Sequence, residues 1–278
     1  MRVAQIWNYP VKSMIGERVP SARLTPLGIA GDRYWAIHDD ERGGIRGAKK
    51  IGALMQFAAE SRGDGTVQIT LPDGGTVLTT DADRDERISA ALDHQVTLQS
   101  LAPPEDLEHY RRGAPDSDDP LVELREIFGR DEDEPFPDLS IFPTEIMEFE
   151  SPLGTHHDAF PLLILTTSAL QTMADALPDS VIDIRRFRPS MVIDTGTAPG
   201  NPEFDWIGQR LRIGEVELEI PAPCPRCVMV TRTVTDEIPE DRAVLRHIIR
   251  ELDQNLGVYA TIATPGRIHE GDRVELLP

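Results

Sequence analysis

The sequence of 278 residues has few cysteines and no long apolar run, and both absences exclude whole classes of protein. Its two cysteines, Cys224 and Cys227, are too few for a disulfide scaffold, for a zinc site built from cysteine alone or for a protein-bound iron–sulfur cluster. No stretch approaches the ~18 uninterrupted apolar residues of a membrane-spanning helix. The first ten residues become polar and aromatic too soon for a signal peptide. We therefore expect a cytoplasmic protein with no membrane partner.

Positive charge is also scarce. Lys and Arg total 28 against 48 Asp and Glu, which gives a formal net charge of −20. A negative field of this size repels phosphate backbones, so we expect no nucleic-acid partner. The chain contains only three lysines, Lys12, Lys49 and Lys50. A lysine at a defined structural position is therefore worth attention.

The hydrophobic pattern predicts a mainly β protein with some α-helix (α+β), divided into three parts. Residues 1–100 show short alternating segments typical of strands, 101–154 read as an acidic irregular connector, and 155–278 return to strands and helices. In the third part we predict a helix over 169–177 capped by Thr167 or Ser168, and a strand over 228–231. We interpret the acidic runs of the connector as solvated faces rather than metal sites.

The Cys-x-x-Cys pair is the sharpest chemical feature. Three prolines stiffen the backbone around Cys224 and Cys227, and Arg226 stands next to Cys227, where its charge favours a thiolate. A thiolate held in this way serves as a nucleophile, a redox switch or a soft-metal ligand. The alternative is a pair of inert buried cysteines. A thioredoxin-type site is disfavoured because we predict strands on both sides of the motif.

Residues suited to binding an anion are dispersed along the chain. Lys12 and Ser13 follow the first strand, and Arg46 follows a Gly-Gly turn. Thr166 and Thr167 stand at a predicted helix N-terminus, where free N–H groups and hydroxyls hold phosphates, and Arg188 opens a strand. Each residue taken singly is equally an ordinary surface or capping residue. No phosphate-binding glycine loop and no Gly-x-Ser-x-Gly elbow is present.

Several short motifs resemble, in their order, those of MOSC-domain proteins. That family includes the C-terminal domain of molybdenum cofactor sulfurases and the mitochondrial amidoxime-reducing components. The matching segments are Tyr9-Pro10-Val11-Lys12-Ser13, Gly31-Asp32-Arg33, Phe187-Arg188-Pro189, Trp206-Ile207-Gly208, Cys224-Pro225-Arg226-Cys227 and Gly266 to Val274. The resemblance implies a smaller N-terminal β-barrel-like domain over 1–100 and a β-barrel MOSC domain over 155–278, with a cleft between them. It does not extend to the connector.

The resemblance also implies a cofactor and the residues that hold it. The cofactor is the molybdenum cofactor (Mo-molybdopterin), with Cys227 as the metal ligand and catalytic residue. Its phosphate and pterin would be held by the residues that match the family's binding positions. These are Lys12, Ser13, Arg46, Thr166, Thr167 and Arg188. Ser190 is a further candidate contact, at a position where the amidoxime-reducing members carry Asn.

The function implied is an oxidoreductase that reduces N-hydroxylated or N-oxygenated small molecules. The chain has no iron–sulfur or flavin segment, so its electrons would come from a separate reductase. One alternative is a sulfur carrier with a persulfide on Cys227; in sulfurases this domain accompanies a pyridoxal-phosphate desulfurase domain, which 278 residues do not accommodate. Another alternative is a protein that binds or stores the cofactor without turnover.

Overall fold

The structure is a computed structural model, and it describes residues 1–142 and 148–277. Within these ranges the chain is mostly β, which confirms the predicted fold class. The strands of the N-terminal part are β1 (Arg2–Asn8), β2 (Glu17–Arg18), β3 (Ser21–Thr25), β4 (Gly28–Ile29), β5 (Trp35–Asp39), β6 (Ile45–Arg46), β7 (Ala58–Ser61), β8 (Val67–Thr70), β9 (Thr76–Leu78) and β10 (Val96–Ser100). Those of the C-terminal part are β11 (Leu162–Thr166), β12 (Met191–Asp194), β13 (Arg210–Ile213), β14 (Val216–Glu219), β15 (Pro223–Pro225), β16 (Asn255–Thr264), β17 (Gly266–His269) and β18 (Val274–Leu277).

Six short α-helices lie among the described residues. They are α1 (Arg84–Leu92), α2 (Leu107–Tyr110), α3 (Pro120–Phe128), α4 (Thr167–Ala176), α5 (Ile184–Phe187) and α6 (Arg242–Glu251). None of the helices described is long and apolar enough to cross a membrane.

The largest sheet has nine strands and joins both ends of the sequence. Its order is β18-β13-β14-β16-β11-β12-β1-β2, with β15 also paired to β16. Beyond the strand ladders, Val3 donates a backbone hydrogen bond to Asp272 (2.9 Å) and Val274 donates one to Met1 (3.0 Å), so β1 curls back towards β18. The first strand of the chain therefore belongs to the sheet of the C-terminal part. The division at residues 100 and 155 stays a prediction.

A bulge in β1 explains why its buried residues are not evenly spaced. Strict alternation would place Val3, Gln5 and Trp7 on the same face. The register against β12 shifts between Val3 and Gln5, and Val3 and Ile6 are the residues that enter the core. They pack with residues of β11, β12, β13, β14 and β16 in one apolar cluster.

The N-terminal strands β5 and β7 to β10 contribute to a second apolar cluster together with α1. The segment that follows the Cys-x-x-Cys motif also enters this cluster, through Met229, Val234 and Ile238. Two parts of the chain that are far apart in sequence thus share one core. This packing fixes the position of the motif relative to the N-terminal strands.

The structure corrects three local predictions. Residues Val228–Thr231 form a 3₁₀ helix rather than a strand, and the Thr231 hydroxyl donates to the Val228 carbonyl (2.8 Å). The N-cap of α4 is Thr166, whose hydroxyl accepts from the Ala169 N–H (3.1 Å), so the cap lies one or two residues earlier than predicted. The segment 101–154 is not irregular throughout, because it contains α2 and α3. Its residues 143–147 lie outside the described residues.

We expect Gly257→Ala in β16 to destabilise the protein more than Gly208→Ala does. Both glycines have left-handed φ values, +77° and +83°, at which a Cβ costs ~1–2 kcal/mol. A Cβ at Gly257 would also lie 2.6 Å from the Ile164 carbonyl oxygen, whereas one at Gly208 meets nothing within 4 Å. Overpacking should therefore add about 1–3 kcal/mol at Gly257 alone. Urea unfolding of both variants measures the difference, and equal losses would contradict it.

Candidate functional site

A cavity of about 840 Å³ is lined by all three parts of the chain and is rich in positive charge. Among the described residues, nine cationic side chains line it: Lys12, Arg33, Arg46, Lys49, Lys50, Arg112, Arg186, Arg188 and Arg226. Four acidic residues share the lining: Asp118, Glu123, Glu150 and Asp158. All three lysines of the chain are included. In a protein of net charge −20, this excess favours an anionic ligand.

Lys12 is held in the cavity wall by the end of β1. Its backbone N–H donates to the Trp35 carbonyl (2.8 Å), and its side chain is only 3% exposed. The ammonium Nζ donates to the His156 carbonyl (2.7 Å) and to Asp158 Oδ1 (2.8 Å). Burial lowers the pKa of Lys12, while the charge of Asp158 opposes that shift.

Asp158 joins two lysines from different segments. Its Oδ2 lies 3.1 Å from Nζ of Lys49, and Oδ1 binds Lys12. Asp158 lines the cavity, and its side chain is 44% exposed. Although burial favours the neutral acid, the two ammonium groups hold the pKa of Asp158 well below its usual range. At neutral pH this part of the wall is therefore a carboxylate between two ammonium groups.

Ser13 and Arg46 line the cavity but are already engaged. Ser13 adopts a left-handed φ of 71°, and its hydroxyl accepts from the Ala48 N–H (2.8 Å). The Arg46 guanidinium lies 3.3 Å from Asp39 and 2.7 Å from Asp116 and also donates to the Ala114 carbonyl. Because two carboxylates neutralise it, Arg46 contributes less free positive charge than its position suggests.

Arg188 carries an unused donor into the cavity. It is the C-cap of α5, with a left-handed φ of 55°, and its guanidinium stacks 4.3 Å from the centre of the Tyr9 ring. Nη1 donates to the Met14 carbonyl, but Nη2 is buried and has no partner among the described residues. Burial lowers the pKa of Arg188 to about 10, so the group stays charged at neutral pH.

Arg226, between the two cysteines, has the same incomplete set of partners. Its Nε donates to the Leu256 carbonyl (2.9 Å) and Nη1 to the Phe187 carbonyl (3.1 Å). Its Nη2 is buried without a partner in the described part of the chain. Buried N–H groups almost always have an acceptor. Two cavity-lining guanidinium groups that lack one are therefore placed to donate hydrogen bonds to an anionic ligand.

Cys227 and Cys224 occupy different environments. Both are free and both line the cavity, but Cys224 is only 3% exposed, and burial raises the pKa of its thiol. Cys227 is half-buried. The Arg130 Nη2 of the connector donates to the Arg226 carbonyl (3.2 Å), which holds the backbone directly before Cys227. Cys227 is thus the more accessible sulfur on a well-anchored loop.

The hydroxyl groups of Ser190, Thr166 and Thr167 form hydrogen bonds within the protein. The Ser190 hydroxyl accepts from the Leu163 N–H (3.3 Å), so Ser190 lines the cavity while bound to β11. Thr166 donates to Glu203 (2.6 Å), and Thr167 lies 3.4 Å from Asp194. Neither threonine is among the residues that line the cavity, and their assignment to the cofactor stays a prediction. They stand at the far end of β11, about 10 Å beyond its cavity-lining residue Leu163.

The residues that sequence reasoning did not assign to the site are Asp158, Lys49 and Arg226. Lys49 could have been singled out, because it is one of only three lysines in the chain. Arg226 stands inside the cysteine motif, but the sequence does not show that its guanidinium turns towards an anion site. Asp158 gains its role only from the two lysines that the fold brings to it.

Comparisons with known proteins give two matches to domain families. Residues 1–111 match the MOSC N-terminal beta barrel domain, and residues 154–275 match the MOSC domain. The chain is 26% identical to human mitochondrial amidoxime-reducing component 1, over 99% of this chain and 82% of that protein. It is 24% identical to bovine mitochondrial amidoxime reducing component 2, over 82% and 66% respectively. The solved structure of YUAD protein from Bacillus subtilis aligns over 99% of this chain and 94% of its own, with 9% identity and a TM-score of 0.46.

Two buried histidines, His156 and His157, precede β11, and His157 lines the cavity. The ring of His156 lies 3.0 Å from the Arg33 carbonyl, and that of His157 lies 2.9 Å from the Leu27 carbonyl. Burial lowers the pKa of His156 to about 3 and that of His157 to about 4. Both rings are therefore neutral in the folded protein at pH 5, while an unfolded histidine is mostly charged.

We expect the free energy of unfolding to fall as the pH decreases from about 6.5 to 4. Unfolding takes up a proton at His156 and at His157 in this window, and each contributes a slope of up to about 1.4 kcal/mol per pH unit. Chemical denaturation at a series of pH values measures the slope. His157→Gln should reduce it, whereas His269→Gln, a change at an exposed residue, should not. A flat profile in the unsubstituted protein would refute the expectation.

Proposed function

We propose that this chain, in which a MOSC N-terminal β-barrel domain precedes a MOSC domain, is a molybdenum-cofactor-dependent oxidoreductase that reduces N-hydroxylated compounds. The observation that carries the proposal is one cavity that combines three features. It holds the half-buried thiol of Cys227 and the unpartnered Nη2 groups of Arg188 and Arg226. The relatives named amidoxime-reducing components support the choice of substrate class.

The residues present fit the cofactor. Arg188 and Arg226 would satisfy their free N–H groups on its phosphate oxygens, because guanidinium groups bind phosphate through charge-assisted hydrogen bonds. Cys227 supplies the soft thiolate ligand that a metal already bound by sulfur accepts. Ser13, Arg46 and Ser190 also line the cavity and complete its polar wall. When bound, the cofactor supplies the two-electron reduction of the N–O bond.

The protein's own contribution is to bind the substrate, orient it and hold protons. Lys49 Nζ is charged, because Asp158 and Cys227 raise its pKa against the opposing effect of burial. Its ammonium group can donate a hydrogen bond to an oxygen atom in the cavity. Lys12 binds the same carboxylate and keeps it in place. We expect electrons to arrive from a separate reductase, and a cytoplasmic location remains our prediction.

In the alternative, a sulfur carrier, Cys227 would need a different environment. A persulfide must reach a partner protein, so its cysteine belongs on an accessible surface. Cys227 instead lines a cavity whose cationic residues would then have no anion to bind. This arrangement favours a bound cofactor over a carried sulfur. A storage protein would share the cavity and differ only in lacking turnover.

We expect Cys227→Ser to abolish molybdenum binding, while Cys224→Ser retains most of it. Serine is a poor ligand for a soft metal, and only the half-buried sulfur is placed to serve as one. Elemental analysis of protein produced in a cofactor-competent host measures the metal. Equal loss in both variants would point to a dithiol role. A mass increase of one sulfur on Cys227 without molybdenum would favour the carrier.

Arg188→Ala is expected to weaken cofactor retention by roughly 10- to 100-fold without unfolding the protein. The estimate is that of one lost charge-assisted hydrogen bond to a phosphate. Arg185→Ala is the matched control, because Arg185 binds Asp183 (2.8 Å) and does not line the cavity. Molybdenum and pterin contents after gel filtration report retention. Occupancy in Arg188→Ala equal to that of the control would count against the assignment.

A further inference from the structure

Arg130 is a buried arginine of the connector that lies beside the loop carrying Cys227. It is only 5% exposed, and it is not one of the residues that line the cavity. It follows directly after the end of α3, where Gly129 adopts a left-handed φ of +63°. The chain leaves the helix next to the cysteine loop, because a Cβ added to Gly129 would lie 3.3 Å from Cα of Val228. Arg130 is therefore placed outside the cavity and against the loop.

The guanidinium group of Arg130 reaches four acceptors. Nη2 donates to the Arg226 carbonyl (3.2 Å) and to Oε1 of Gln254 (3.1 Å), and Nε donates to the same Gln254 oxygen (3.3 Å). Nε also donates to the Pro135 carbonyl (3.2 Å), and Nη1 donates to the Phe128 carbonyl. Two of these acceptors belong to the connector and two to the C-terminal part. Arg130 thus links the connector to the cysteine loop and to the residue before β16.

Gln254 completes a clamp on the backbone of Arg226. The Gln254 carbonyl accepts from the Arg226 N–H (2.9 Å), while its side-chain oxygen binds Arg130, which in turn binds the Arg226 carbonyl. Gln254 has a left-handed φ of 70°, and its own N–H donates to the Ile248 carbonyl of α6 (3.0 Å). Both backbone polar groups of Arg226 are therefore bound to this pair of residues. We call the pair the Arg130–Gln254 clamp.

The clamp acts on the peptide from which the Cys227 side chain projects. The Arg226 carbonyl belongs to the planar peptide bond between Arg226 and Cys227, so holding it restricts the direction in which Cys227 leaves that plane. Cys227 makes no side-chain capping bond to the 3₁₀ helix that follows it. The side chain of Arg226 is held separately, by the carbonyls of Leu256 and Phe187. The direction of the sulfur thus depends on the backbone that the clamp holds.

The chemistry of Arg130 suits this task better than it suits stability alone. Burial lowers the pKa of Arg130 to about 10, so the guanidinium is charged at neutral pH. Buried charges are normally paired with an opposite charge, yet the four acceptors of Arg130 are all neutral carbonyl oxygens. A planar fork of five N–H donors can fix several such acceptors at once. Arginine is the side chain that provides this fork.

We propose that Arg130 is a positioning residue for the metal ligand. Together with Gln254 it holds the cysteine loop so that the thiol of Cys227 and Nη2 of Arg226 face the cavity together. That Cys227 binds molybdenum rests on the proposed function, whereas the clamp exists in the protein without a cofactor. Loss of Arg130 should therefore disturb the sulfur ligand and leave Arg188, which is bound to a different segment, in place.

Amide hydrogen exchange tests the clamp in protein produced without the cofactor. The segment Pro223 to Cys227 has only three amide protons because two of its residues are prolines, and the Arg226 amide is the one bound to Gln254. We expect Arg130→Gln to speed exchange of that amide about tenfold or more, since hydrogen bonds from a charged group are lost. Gln254→Asn should act in the same direction. Asparagine tolerates the left-handed φ, but its side chain is one methylene shorter.

Two further variants separate the clamp from a general effect of charge. Arg125→Ala is the matched control, because Arg125 belongs to the same connector and its guanidinium donates to the Asp131 carbonyl (2.7 Å). It should leave exchange of the Arg226 amide unchanged. Arg130→Lys keeps the charge but not the planar fork, so it should restore only part of the protection. Full restoration by lysine would overturn the clamp in favour of a simple charge effect.

The metal reports whether the clamp positions the ligand. In molybdenum-loaded protein we expect Arg130→Gln to weaken molybdenum retention about 10- to 100-fold, as is typical when a group that orients a metal ligand is removed. The electron paramagnetic resonance signal of the reduced metal should shift, because it depends on the direction of the thiolate. The pterin content should fall less than in Arg188→Ala. Arg125→Ala should change neither the retention nor the signal.

The outcomes separate this inference from the proposed function. Unchanged exchange in both Arg130→Gln and Gln254→Asn overturns the clamp. Faster exchange with unchanged molybdenum retention and an unchanged signal overturns the positioning role. If the unsubstituted protein takes up no molybdenum, the proposed function fails, and the exchange result alone then supports or overturns the clamp. Gln254→Asn provides both measurements if Arg130→Gln does not fold.

Discussion

The carboxylate of Asp158 is the interaction on which the arrangement of the site depends. It binds Lys12 at the end of β1 and Lys49 from the segment after β6, and it stands in the chain just before β11. Without it, the two ammonium groups that bind its two oxygens would lie near each other with no negative charge between them, and like charges repel. This one carboxylate thus joins two segments of the N-terminal part to the segment before β11, in the wall of the cavity that Cys227 also lines.

The remaining positive charge of the cavity is compensated unequally. Arg46 is paired with two carboxylates and Lys50 with Glu123 and Asp116, so these groups are neutralised within the protein. Arg188 and Arg226 are bound mainly to carbonyl oxygens, and each retains one buried N–H group without an acceptor. An unsatisfied buried donor costs about 1–3 kcal/mol. At each of these two arginines the fold leaves one buried N–H group without an acceptor. An anion bound there would supply the acceptor, and its binding should therefore stabilise the protein.

Short sequence motifs singled out residues that the fold brings to one cavity, but they did not show in which direction each side chain points. The cofactor-binding roles of these residues stay predictions. Lys12, Ser13, Arg46, Arg188, Ser190 and Cys227 all line the cavity. Thr166 and Thr167 do not, because hydrophobic periodicity locates a strand and its following helix without showing which end of the strand borders a cavity. The strand predicted over 228–231 is a 3₁₀ helix, since four apolar or β-branched residues suit either structure until the packing of Met229 decides between them. Asp158 carries no pattern of its own, and its partners are more than a hundred residues away.

The connector shows how a segment whose sequence carries none of the site motifs can become part of a cavity wall. Its acidic composition suggests a solvated linker, yet Leu124, Ile127 and Phe128 have helical spacing and find no core to cover them. The connector joins two parts of the chain that share a cavity, and α3 contributes one face to the lining of that cavity. The two flanking parts provide most of the cationic side chains and the sulfur of Cys227. The proposed chemistry requires these groups to keep their positions. The cavity face of α3 is under no such requirement, and it is the part of the wall that can differ between related proteins while the chemistry is retained.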